Sequence, residues 1–457
     1  MGRLSSGLSV VRDAVRTQLW PLPAFAVALA LGLGIGLPRV DARIDDKLPA
    51  GVTDYLFGGG ASAARSVLDA VASSLITVTS LTFSLTVVTL QLASSQFSPR
   101  LLRTFTRDRF VHVTLALFLA TFTYALTVLR SVRTGDDGRE TFVPQLSVTV
   151  AFVLAVASVV GLVLFLAHLA REIRVETMLL NVHTDASETV QRVLARRGVP
   201  AGRDVVPPRP PAEALPLPAG ASGFLVRWDE QALLAAAVEA DAVVLVDRYP
   251  GSSIVAGTPV GAGWPRAGAA FAAESDTGSR LAERVADAIS AGPERTSAQD
   301  IGFGLRQLTD VAVKALSPGI NDPTTAVHAL GHVAALLCEL AGRDLGPRLL
   351  RDDQEQVRVV LRGPGFEELL ELAVAQPRRY GAADPFVLTR LFALLRELAW
   401  SVDQPGQRRA VADQLGRLRA TTAAQDFDGS ERSRLAALAG QVEQALAGHW
   451  APDPGSS

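Results

Sequence analysis

His328 and His332 stand four residues apart in a stretch of helical spacing, and Glu339 follows seven residues later, so all three share one helix face. Two imidazoles and a carboxylate in that arrangement could hold zinc or a related cation. No glutamate adjoins His328 to act as a general base, and histidines on a solvated or interface face produce the same spacing. A second constellation comprises Asp300, Arg306, Asp310, Asn321 and Asp322. It reads as a polar ligand pocket or as a helix boundary. In the second reading Ser317-Pro318-Gly319 stops one helix, Asp322 caps the next with Pro323 at its first position, and the forked donors of Arg306 tie the cap in place. A third set is made of hydroxyls. Ser73, Thr77, Ser80, Ser84, Gln91 and Ser95 fall in a narrow arc at about 100° per residue, and Thr79, Thr82, Thr86 and Thr89 line another. The surrounding residues are apolar enough for a bilayer, and a helix facing only lipid does not need such a stripe. Hydroxyls there either bond back to their own helix and permit close packing, or they wall a hydrated path.

The elements that carry these groups divide at about residue 170. Four apolar stretches, 20–37, 71–93, 110–129 and 146–167, approach the ~20 residues that cross a bilayer as helix. None contains Asp, Glu, Lys or Arg. Arg3, Arg12 and Arg16 before the first stretch, with a loose cleavage-site likeness at Val40-Asp41-Ala42, raise a signal peptide as the alternative. The apolar run exceeds the usual length for one and three more spans follow, so an uncleaved helix is expected. Arginines at 3, 12 and 16, at 100, 103, 107 and 109, and at 171 and 174 outweigh those on the opposite flanks, which favours both termini in the cytoplasm.

Residues 1–170 therefore read as a four-span transmembrane domain and 171–198 as a connecting helix. Pro207-Pro208-Arg209-Pro210-Pro211 marks a linker over 199–222. Within 223–275, strands at 223–228 and 242–247 flank a short helix, with a further short strand near 253, as a small α/β module. The spacing across 276–450 predicts a helical soluble domain of six to eight helices, and 451–457 a disordered tail. The fold class is thus an α-helical integral membrane protein with about four transmembrane helices, followed by a cytoplasmic α/β module and an all-helical domain.

Composition narrows the function classes. The 457 residues are 48% hydrophobic with a formal net charge of −2, which gives no sign of a nucleic-acid partner. Cys338 stands alone, excluding an internal disulfide and a thiolate zinc site built from this chain. No phosphate loop, dinucleotide fingerprint, zincin helix or nucleophile elbow occurs, so no cofactor and no catalytic residue is assigned and an enzyme ranks last. The spans carry no mid-membrane carboxylate of the kind on which proton- or sodium-coupled carriers rely.

The runs Ser94-Ser95-Gln96-Phe97-Ser98-Pro99-Arg100-Leu101-Leu102 and Ala315-Leu316-Ser317-Pro318-Gly319-Ile320-Asn321-Asp322-Pro323-Thr324-Thr325-Ala326 are long and specific. With Gln299-Asp300, Phe303-Gly304 and Arg306-Gln307-Leu308 they resemble the bacterial predicted membrane protein family called domain of unknown function 2254. That resemblance implies a multi-pass inner-membrane protein and supplies no activity. Two functions are carried forward. One is a homo-oligomeric channel, with span two lining the path, Arg100 and Arg103 at its cytoplasmic mouth and the soluble domains gating or assembling it. The other is a membrane-anchored sensor or scaffold whose cytoplasmic part binds a ligand or partner through the Asp300, Arg306, Asn321 and Asp322 cluster.

Overall fold

A computed structural model of the protein describes residues 20–44, 56–96, 108–134, 141–172, 174–196, 207–268, 270–271 and 276–450. The chain divides into two compact units, Met1–Thr177 and Met178–Ser457.

The first unit holds four long apolar helices: α1 (Pro21–Ile44), α2 (Ala61–Gln96), α3 (Arg109–Leu129) and α4 (Gln145–Glu172). Each is long and apolar enough to cross a membrane. Helix α3 packs against the other three and is the most enclosed, 56% of its apolar window being buried against 17–22% for its neighbours. Tyr124, Ala125 and Val128 of α3 form the core with Ala64 and Leu68 of α2, Ala30 of α1 and Ala151 of α4. Small residues permit this approach. A Cβ on Gly34 of α1 would lie 2.7 Å from the Thr127 Cβ of α3, so that crossing requires glycine.

Helix ends in this unit are tied by two carboxylates. Asp41, near the end of α1 and 5% exposed, accepts hydrogen bonds from Leu146 N (3.1 Å), Ser147 N (3.0 Å) and Ser147 Oγ (2.6 Å). It thereby caps α4 from a position 105 residues earlier in the chain. Asp108 caps α3 through Phe110 N at 2.8 Å, and its other oxygen lies 2.5 Å from Nε2 of His168 near the end of α4. The position that resembles a cleavage site is thus a buried tie inside a helix.

The second unit begins within α5 (Val175–Val193) and continues through β1 (Leu215–Pro218), β2 (Gly223–Trp228), α6 (Glu230–Glu239), β3 (Ala242–Val246), β4 (Ser253–Ile254) and β5 (Pro259–Pro265). Next come α7 (Thr277–Ala288), β6 (Ile289–Gly292), α8 (Phe303–Ala315), α9 (Pro323–Ala341), β7 (Arg348–Arg351) and β8 (Val357–Leu361). The chain closes on α10 (Phe366–Tyr380), α11 (Pro385–Ser401), α12 (Pro405–Ala423) and α13 (Gly429–Leu446).

Two sheets form, ordered β1-β5-β3-β8-β7 and β4-β2-β6. Strands β2 and β3, which flank the short helix α6 as the sequence predicts, belong to different sheets. Strand β1 falls in the proline-rich stretch assigned to the linker, and β6, β7 and β8 fall in the stretch whose spacing reads as helical. Strand β8 completes the larger sheet by pairing in parallel with β3, Val244 opposite Val359. The core beneath joins Leu217, Leu233, Val244, Val246, Leu281 and Leu361. Helices α8 to α13 make the all-helical remainder, with α9 packed on α8 and α11. By length and hydropathy α9 also qualifies as a span, with half of its window buried.

Removing the Asp41 tie tests this arrangement. Asp41→Ala is expected to destabilise the detergent-solubilised protein by about 1–2 kcal/mol, the range for losing a helix cap, and Asp41→Asn by less. Thermal melting checks it; identical midpoints for wild type and both variants would deny the tie any stabilising role.

Candidate functional site

Two arcs of α2 face opposite ways. Thr79, Thr82, Thr86 and Thr89 are buried toward the other spans, and Thr79, Thr86 and Thr89 donate to their own helix at Leu75 O (2.6 Å), Thr82 O (2.8 Å) and Leu85 O (2.9 Å). Ser73, Thr77, Ser80, Ser84 and Gln91 are exposed on the opposite face. Of these, Ser73 and Thr77 bond back to Asp69 O (2.8 Å) and Ser73 O (3.0 Å). The hydroxyls of Ser80 and Ser84 make no hydrogen bond among the described residues. Ser62, Ser66 and Asp69, also exposed, fall on the same arc and extend it toward the start of the helix. Sequence reading stopped short of them because it began the span at residue 71. The backbone at Ser95 belongs to α2, while Arg100 and Arg103 lie outside the described residues.

The second constellation does not converge. Asp300 and Asp322 flank α8 at opposite ends, about 20 Å apart by helix rise. Asp300 is 4% exposed and takes a forked ion pair from Arg295, Nε to Oδ2 at 2.8 Å and Nη2 to Oδ1 at 3.1 Å, with Gly302 N adding a bond at 3.1 Å. Burial pushes its carboxyl above the usual carboxylate range, against the pull of Arg295 and the backbone N–H groups. Arg295 was missed because nothing in its spacing marks it; only folding brings it to Asp300.

Asp322 is a helix cap, as its sequence context predicts. Its oxygens accept from Thr325 N (3.0 Å) and Thr325 Oγ1 (2.6 Å), which hold its carboxyl below the usual range. Asn321 takes a positive φ of 50°, the left-handed turn that lets Asp322 N bond back to Ala315 O at 2.8 Å. Arg306 and Asp310 lie a turn apart on α8, both half-buried. Gly304 of the same helix is required by contact, since a Cβ there would overlap Ala186 of α5.

The helix α9 set separates. Glu339 accepts from Ser187 Oγ (2.6 Å), Gln191 Nε2 (3.1 Å) and Arg343 Nη2 (2.9 Å) and is thereby committed to joining α5 to α9. His332 stacks at a tilt on His183 of α5, ring centroids 5.3 Å apart, while His328 is exposed. Burial, with His183 and His328 nearby, lowers the His332 pKa. Among the described residues no three His, Cys, Asp or Glu side chains are placed to hold a metal ion.

Four membrane-length helices followed by a unit of mixed strands and helices define a multi-pass membrane protein. Residues 16–397 match the family described as predicted membrane protein, DUF2254, and the chain belongs to that family. It is also 36% identical over 451 residues to proteins of Mycobacterium bovis and Mycobacterium tuberculosis, each described as uncharacterized, covering 97% of this chain and 84% of theirs. No solved structure matches it.

The Asp322 cap carries a pH signature. Its folded carboxyl pKa lies below the unfolded value near 3.9, so its stabilisation is present above that value and is lost as pH falls through the folded pKa. Asp322→Ala is expected to destabilise by about 1 kcal/mol at neutral pH. The gap between variant and wild-type melting should close in acid, and a gap that stays constant to pH 2 would contradict the cap.

Proposed function

We propose that this protein assembles in the bacterial inner membrane as an oligomer whose α2 helices line a hydrated, channel-like path, with the soluble unit in the cytoplasm gating or assembling it. The carrying observation is the exposed, unbonded pair Ser80 and Ser84 near the middle of a 36-residue apolar helix. A hydroxyl without a partner in an apolar medium costs roughly 1–3 kcal/mol, and water or a second copy relieves that cost. Flanking Leu81 and Phe83, 57% and 55% exposed, supply surfaces for lipid or a neighbouring copy. Asp69 stands at one end of the strip, and Arg100 and Arg103 follow its other end in sequence. Arginines at the inner mouth would draw anions toward it.

Reconstituted into planar bilayers, the protein should conduct. Ser84→Leu should lower conductance while cross-linked oligomers persist, and Arg103→Glu should shift preference toward cations. Loss of assembly in Ser84→Leu would instead make the strip a packing surface. Correctly assembled protein that passes no current under varied voltage, tension and pH would leave the membrane-anchored sensor as the reading.

Topology is checked separately by an impermeant thiol reagent on intact cells. Cys338 is a poor reporter, because burial raises its thiol pKa and leaves it half-enclosed. In a Cys338→Ser background, cysteines introduced at residues 50 and 135 should label, and one at the exposed Arg409 should not. Labelling of Arg409→Cys in sealed cells would invert the orientation.

A further inference from the structure

A cavity of about 260 Å³ lies within the second unit, between the C-terminal end of α5, the end of β2 and the Tyr249-Pro250 turn. Its apolar lining includes Trp228, Pro250, Ile301, Leu361 and Pro364. Its charged lining is three arginines, Arg192, Arg227 and Arg348, against the single carboxylate of Glu230. That carboxylate is already spent, since Arg348 Nη1 pairs with it at 2.6 Å. Arg192 donates only to neutral acceptors, Thr189 Oγ1 (3.1 Å), Ser297 O (3.2 Å) and Ala298 O (3.3 Å). Arg227 is half-buried, and its side chain has no hydrogen bond or ion pair among the described residues. Exposed Arg192 and half-buried Arg227 thus line the cavity without a carboxylate partner.

The remaining walls are held in place. Gln299 Oε1 accepts from Trp228 N at 3.1 Å while its Nε2 donates to Trp228 O at 3.4 Å, fixing the backbone that carries the indole. The Tyr249 hydroxyl donates to Glu368, and burial with that carboxylate raises the phenol pKa, so the ring stays neutral. Structural ion pairs in this unit are closed, as at Arg358 with Asp352 and Asp241, or Arg390 with Glu397. Arg227 is half-buried with no such partner, and a partly desolvated charge is costly unless compensated. Guanidinium matches carboxylate and phosphate by two parallel N–H···O bonds, and indole offers a flat apolar face.

We propose that this cavity binds a small anionic molecule, a phosphate or carboxylate head held by Arg227 and Arg192 with a ring or apolar body beside Trp228. The volume falls just under the roughly 300–1,000 Å³ of drug-sized pockets, which limits the body to about the size of a nucleoside. The site stands whether or not the spans conduct.

Titration calorimetry on the full-length protein in detergent tests it with two matched pairs, AMP against adenosine and benzoate against benzamide. At least one anion should bind saturably and at least tenfold more tightly than its uncharged counterpart; the pair that responds separates a phosphate from a carboxylate head. Arg227→Gln should weaken that anion at least tenfold, and Arg227→Lys should retain part of the binding. Arg409→Gln, remote on α12, should change nothing. Arg192→Gln decides the matter where Arg227→Gln melts early. Absence of saturable binding by either anion, equal binding of charged and uncharged partners, or unchanged affinity in folded Arg227→Gln and Arg192→Gln would each overturn the proposal.

Discussion

In a hydrocarbon medium every polar group must find a partner inside the protein or meet water, and the membrane unit is organised around that requirement. Helices satisfy most of the backbone internally, so what remains is helix ends and side-chain hydroxyls. Asp41 closes the first turn of α4 from another helix, and Asp108 closes α3 while meeting His168. Thr79, Thr86 and Thr89 on the packed face of α2 return their hydroxyls to carbonyls one turn back, whereas the buried Thr82 hydroxyl finds no partner. Once these demands are met, dispersion between closely approaching helices can act, as where Gly34 admits Thr127. The requirement is left open within one chain at Ser80 and Ser84 on the exposed strip of α2 and at the buried Thr82.

The second unit solves a different problem. Its stability rests on apolar burial beneath two sheets and among α8 to α13. The larger sheet cannot be finished by neighbouring sequence. Strand β3 needs β8 as a parallel partner, and parallel strands require a crossover. Here that crossover contains α7, α8 and α9, so the α/β and helical parts are interleaved in the chain and fold as one unit. The family-like residues Gln299, Asp300, Phe303 and Gly304 lie on this crossover, and the structure gives several of them local work. Gln299 pins β2, Asp300 neutralises Arg295, and Gly304 lets α8 cross α5.

Much of this was legible in the residues themselves. The four spans follow from apolar length, which is a property of contiguous sequence and needs no fold to be seen. The α6 helix and the β2 and β3 strands match their reading almost to the residue, because Asp229 is a cap and the flanking runs are short and β-branched or aromatic. Asp322 was recognised as a cap for the same reason, its partner being three residues away. Local signals of this kind act over one helical turn.

Everything that depends on distant partners belonged to the tertiary structure alone. Strands β6, β7 and β8 are four or five residues long, too short to show a period of two against the helical background. Asp41 and Ser147, and Arg295 and Asp300, carry no spacing that announces their roles, because each is defined by what folding sets beside it. The amino-acid sequence determined that α2 is an amphipathic span with two polar arcs. Only the packing of α3 against it decided which arc is buried and which remains exposed, since periodicity names a helix's faces but not the neighbour that covers one of them.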